Sequence, residues 1–137
     1  MRRRDVRRLA LQALFELDMG ETDVEAAIAH VVGEVSGASD EDVGYLRRLV
    51  RGTRARLADI DDLLASHVQG WRLDRMAKVD LNILRLAIYE LLEEQDVDAA
   101  TIVNEAVELA KYFSTDESGR FVNGVLARCL PYTRTKA

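Results

Sequence analysis

Residues 78–93 leave this chain little choice of fold. Val79, Leu81, Ile83, Leu84, Leu86, Ala87, Ile88, Leu91 and Leu92 put apolar groups on most sides of one helix. A helix without a wide polar face is stable only when other elements cover it all round. Its polar members, Asp80, Asn82, Arg85, Tyr89 and Glu90, then need partners. Arg85 is expected to find Tyr89 or Glu90 in an internal network, and Asp80 sits near the helix start, where the dipole favours it. The covering elements should also be helical. Only 6% of the 137 residues are aromatic and proline occurs once, which argues against a sandwich or barrel.

The covering helices can be read from apolar spacing. Residues 5–19 carry Val6, Ala10, Ala13 and Leu17 on one face, with Gly20 as the stop. A second helix is expected to open with a Thr22/Glu25 capping box and to turn Val24, Ala27, Ile28, Val31 and Val35 inward. Gly37, Ala38 and Ser39 break it. A long third helix, residues 40–66, has the seam Val43, Leu46, Val50, Leu57, Ile60 and Leu64, with Thr53 filling one step. At that length it would span about 40 Å. These three helices form a first half, 1–68. Gln69, Gly70 and Trp71 mark the junction, with the Trp71 indole packed between halves. The second half, 69–137, holds the apolar helix and a pair of helices over 101–130.

That pair has a polar connector. Ser114 with Glu117 fits a capping box for the last helix, and Pro131 should end it. Asn123 and Gly124 interrupt its interior, where Gly costs about 1 kcal/mol against Ala. Close helix packing at Gly124 is the plain explanation. A functional one is that Lys111, Phe113, Arg120 and Phe121 border one exposed surface, since aromatic and basic groups together suit stacking on unpaired bases.

Charge is distributed unevenly. The net charge is −5, but Arg2, Arg3, Arg4, Arg7 and Arg8 with Asp5 give the first twelve residues +4, leaving −9 for the rest. Cations at a helix start oppose the dipole. A solvated, frayed start would explain them; so would phosphate binding, for which the planar guanidinium is well shaped. Other chemistry finds little support. His30 and Glu34 are four apart but lack a third ligand, so a surface pair is expected rather than a metal. The run Asp59, Asp61, Asp62 reads as a solvated face. Cys129 is alone and sits in an apolar stripe, as a buried hydrophobe would. No apolar run reaches about 18 residues, and Asp5, Arg7, Arg8 and Glu16 interrupt any leader-like core, so a cytoplasmic protein is expected. No catalytic set, phosphate loop or metal cluster stands out, and no enzyme activity or cofactor is expected.

Two motifs carry a family resemblance. NEAVELAK at 104–111 and FVNGVL at 121–126, with Trp71, the run 79–91 and the Arg cluster before Leu11-Gln12-Ala13-Leu14-Phe15, resemble the NusB family of transcription antitermination factors. The resemblance covers nearly the whole chain. It implies an all-α fold of about seven helices in two three-helix bundles packed roughly perpendicular. It implies binding of boxA RNA from nascent ribosomal RNA leaders, together with NusE, in a complex with RNA polymerase that resists premature termination. Arg3, Arg4, Arg7 and Gln12 match the family's RNA-contacting start. Phe113, Glu117 and Phe121 match positions beside the RNA, although Glu117 could equally cap, and Asp80 matches a NusE-facing position. Asp5 stands where some relatives have a further Arg, and Asp98 where the family usually has Pro. RNA methyltransferases with a NusB-like domain add a separate catalytic domain, which this chain lacks. A homodimer, seen in some relatives, and a pure protein-interaction module stay open. A helix-turn-helix DNA binder also stays open: the Arg cluster at a helix start is compatible with it, but no recognition helix with exposed Asn, Gln or Arg follows a short turn.

Overall fold

The structure is a computed structural model that describes residues 1–68, 73 and 76–134. Every regular element among them is helical: α1 (Arg3–Asp18), α2 (Val24–Gly33), α3 (Asp40–Ala55), α4 (Leu57–His67), α5 (Lys78–Glu93), α6 (Ala99–Phe113) and α7 (Asp116–Thr133). They group into two compact units, Met1–Ala55 and Arg56–Ala137. Trp71, with Gln69 and Gly70, lies outside the described residues.

The first unit packs α1 against α2 and α3. Val6, Ala10, Ala13 and Leu17 are all buried, as their spacing predicts. Gly20, at φ +85°, ends the first turn out of α1, and Gly37, at φ +86°, turns the chain into α3. Both angles favour a residue without Cβ. The start of α2 differs from expectation. Asp23, not Thr22, is the cap, and its carboxylate accepts from the Ala26 N–H at 2.8 Å. Val35 lies beyond α2 and is exposed, because the helix stops two residues earlier. The α3 start carries an unforeseen reciprocal box. Asp42 N–H donates to Ser39 Oγ at 3.1 Å, and Ser39 N–H donates to Asp42 Oδ2 at 3.0 Å. The chain's amino terminus donates to the same carboxylate at 3.1 Å. These donors, the Ser39 N–H foremost, hold the Asp42 carboxyl below its usual pKa.

The long third helix is two helices. The backbone departs from helical geometry at Arg56 (φ −108°, ψ 18°), and α4 restarts from there in the second unit. The apolar seam continues through the break: Leu46, Val50, Thr53, Ile60 and Leu64 are buried. Spacing therefore follows the seam without marking the break. Thr53 satisfies its buried hydroxyl by donating to the Leu49 carbonyl at 2.7 Å.

The second unit is built around α5, whose bounds match expectation and whose residues from Leu81 to Leu91 are all buried. Its buried cation also has a partner on α4 that spacing alone does not reveal. Arg85 donates through Nε and Nη2 to the two Asp61 oxygens, both at 2.8 Å, tying α5 to α4. Asp61 therefore does not belong to a purely solvated face. Pro131 does not end α7, which runs on to Thr133. The last turn is held from outside. Arg134 donates to the carbonyls of Leu91 (2.9 Å), Glu90 (3.4 Å) and Glu94 (2.8 Å) at the end of α5 and of Val97 (2.7 Å) in the loop that follows. A guanidinium there satisfies carbonyls that a helix end leaves without partners and complements the dipole. Cys129 is fully buried, and burial pushes its thiol pKa up. No described helix is long and apolar enough to cross a membrane.

Candidate nucleic-acid interface

The sequence-predicted site residues fall into two sets, one in each unit. In the first, α1 begins at Arg3 with Arg2 as its cap residue. Asp5 eases the clash between cations and dipole. Its carboxylate accepts from the Arg2 N–H at 3.2 Å and lies 3.6 Å from Arg2 Nε. The arginines do not behave as one flexible arm. Arg3 stacks its guanidinium over the Tyr45 ring, 3.7 Å from the centroid, and Arg48 approaches the same ring at 5.0 Å. Such contacts hold a cation in place while leaving it charged. Arg7 is only 4% exposed and belongs to the interior of its unit. Its expected place among phosphate-facing residues is corrected: helical spacing turns it inward beside Val6 and Ala10. Arg4 and Gln12 are exposed and Arg8 is partly so. Being four apart, these three share one face of α1.

In the second unit, a groove of about 350 Å³ opens between the start of α5 and the α6–α7 connector. Met76, Ala77, Asp80, Thr115, Glu117, Ser118 and Phe121 line it. Thr115, not Ser114, caps α7 by accepting from the Ser118 N–H at 3.0 Å. Ser114 instead closes α6 and meets the Ser118 hydroxyl at 2.9 Å. Glu117 is exposed in the first turn, free of the capping box expected for it. The Ser118 hydroxyl also reaches Asp80 Oδ2 at 3.3 Å. Asp80 Oδ1 is buried with no partner among the described residues. Burial pushes the Asp80 pKa up, and the Ser118 contact only partly opposes it.

The remaining residues do not line this groove. Lys111 is exposed at its end, 3.8 Å from Glu108, while its stem lies over Gly119. A Cβ on Gly119 would stand 3.0 Å from Lys111 Cγ. The close approach is therefore at Gly119; a Cβ on Gly124 would meet nothing within 4 Å among the described residues, and the packing contact expected at Gly124 is found at Gly119 instead. Phe113 is half-buried and meets Tyr112 edge to face, centroids 4.8 Å apart. Arg120 is exposed on α7. Sequence reasoning passed over Tyr45, Tyr112, Ser118 and Met76. Only Tyr112, an aromatic beside Lys111 and Phe113, carried a visible signal.

Seven helices, a cationic face on α1 and a polar-lipped groove on the other unit define a helical binding module. Among the described residues no group of three His, Cys, Asp or Glu side chains is placed to hold a metal. Residues 4–131 match the NusB family, and the chain belongs to that family of non-enzymatic antitermination factors. It is 47% identical over 131 residues to the transcription antitermination protein NusB of Salinispora tropica, covering 95% of this chain and 96% of that one. It is 40% identical to the NusB of Listeria monocytogenes serotype 4a, covering 96% and 98%. The fold superposes on T. maritima NusB with a TM-score of 0.88 at 37% identity, covering 95% of this chain and 91% of that chain. A structure of NusB and NusE in complex with double-stranded RNA gives 0.87 at 25% identity, covering 95% and 96%.

Proposed function

We propose that this chain, in the cytoplasm, binds boxA-like single-stranded RNA of nascent ribosomal RNA leaders together with NusE, and so helps RNA polymerase resist premature termination. The observation that carries this reading is the groove that joins Asp80, matched to a partner-facing position, with Glu117 and Phe121, matched to RNA-facing ones. A NusB neighbour of the same fold was solved with both NusE and RNA. In this reading Arg2, Arg3, Arg4 and Arg8 hold phosphates and Gln12 contacts the strand. Phe121 and Phe113 offer stacking surfaces, flanked by Lys111 and Arg120. The buried Asp80 oxygen, without a partner among the described residues, awaits a donor from NusE, and the acidic body suits a basic ribosomal protein.

The test is binding of a boxA-like single strand, with and without NusE, across a salt series. Four phosphate contacts give a slope of log affinity against log salt near about −3. Arg2→Ala/Arg4→Ala/Arg8→Ala should flatten it by about 2. Duplex RNA and a scrambled strand serve as comparisons. No preference for the boxA strand and no change in the variant would refute the reading and favour a protein-interaction or homodimerisation module.

A further inference from the structure

The first unit has a second concave surface that none of the residues assigned to RNA or NusE explains. It is a groove of about 340 Å³ lined by Phe15, Glu16, Met19, Glu21, Thr22 and His30. Its floor is apolar: Phe15 is half-buried, and Met19, the residue that caps the end of α1, is 62% exposed. An unbranched thioether at an exposed position adapts to a partner's side chain. Its rim is acidic. Glu16 and Glu21 line it, and Glu34 stands behind His30. We propose that this α1–α2 groove docks a short basic segment of a partner protein, one apolar side chain seated on Phe15 and Met19 and flanking Lys or Arg residues on the carboxylate rim.

The charge pattern selects that occupant. Two carboxylates around an apolar floor repel a phosphate backbone and attract cations. The volume suits one large apolar side chain rather than a whole helix. His30 sets how strong the attraction is. Its Nδ1 faces Glu16 of α1, and its Nε2 lies 2.9 Å from Glu34 at the end of α2. Only the doubly protonated ring can donate to both. The Glu16 contact, then the charges of Glu16 and Glu34, raise its pKa. The α3 cations facing α2 do not enter this balance, because Arg47 and Arg51 both hold Glu25, at 3.2 and 2.7 Å. When His30 loses its proton, the rim gains one net negative charge and a basic segment binds more tightly.

The probe is an acetylated, amidated Lys-Lys-Leu-Lys-Lys peptide titrated into the full chain and followed by backbone amide shifts. Shifts should concentrate on Phe15, Met19 and Glu21, and high salt should weaken them. Replacing Leu by Ser in the peptide, or Met19→Ser in the protein, should weaken binding about tenfold. Affinity should rise about threefold as pH rises through the His30 transition, which lies above the usual histidine range, and stay flat in His30→Gln. Because Met19 and His30 are exposed, both variants should fold, and their unperturbed spectra verify it. Equal binding of the Ser peptide, no effect of Met19→Ser, a pH response that persists in His30→Gln, or a single-stranded RNA shifting the same amides would overturn the proposal.

Discussion

Individual side chains here divide by whether the fold or a partner needs them. Arg7 and Arg4 make the contrast testable within one turn of α1. Arg7 is buried and Arg4 exposed. Arg7→Ala removes a packed stem and strands whatever it pairs with, so it should cost about 1–3 kcal/mol. Arg4→Ala should change stability by less than about 0.5 kcal/mol and weaken RNA binding instead. Chemical denaturation beside RNA titration separates the two roles. Sequence alone grouped both as one cluster, because a run of arginines hides helical phase until the helix start is fixed. Asp80 makes the opposite case. Its pKa is raised above 3.8 by burial, so folding favours its protonated form. The sign follows: stability is lost as pH rises from the unfolded pKa through the folded one, and at neutral pH the charge is a burden. Asp80→Asn should therefore raise the melting temperature and weaken binding of the NusE partner. A fall in melting temperature with intact partner binding would show that Asp80 serves the fold.

At the scale of elements, apolar spacing was a better guide than punctuation. The bounds of α5 and the buried face of α1 follow from side-chain period, because burial is set by many residues at once. Caps and breaks depend on one or two residues, and there expectation slipped. Thr22 gave way to Asp23 and Ser114 to Thr115. The seam through α3 and α4 conceals a break at Arg56, since both sides keep the same apolar phase. Pro131 was read as a stop, but Arg134 reaches back to carbonyls of α5 and the following loop, a long-range contact no local motif encodes. The glycines of α7 give a clean test of where packing is tight. Gly124→Ala adds a methyl that meets none of the described residues within 4 Å and should stabilise by about 1 kcal/mol through helix propensity. Gly119→Ala gains the same propensity but pushes on the Lys111 stem, so it should stabilise less or not at all. Thermal melts of the two variants should rank them in that order.

For the molecule as a whole, the division into two units assigns the proposed contacts to separate bodies. The α1 cations belong to the first unit, and Asp80, Glu117 and Phe121 to the second. The family run at 79–91 and the motifs at 104–111 and 121–126 single out the second set, because long motifs in fixed order carry information that single residues do not. The α1–α2 groove was not legible, since Met19 and Glu21 belong to no pattern and His30 read only as half of a surface pair. Linkage turns this division into a quantitative expectation. If NusE tightens RNA binding by some factor, RNA must tighten NusE binding by the same factor. The arm variant Arg2→Ala/Arg4→Ala/Arg8→Ala should weaken RNA binding whether or not NusE is present, and leave binding of NusE alone unchanged. Asp80→Asn should weaken NusE binding, and weaken RNA binding only when NusE is present. Combining the two tests independence. With NusE saturating, their effects on RNA affinity should add to within about 0.5 kcal/mol if each acts through its own contacts. A larger deviation would mean that cations and carboxylate share contacts in the assembled complex. Loss of RNA binding by Asp80→Asn without NusE would place Asp80 among the RNA contacts.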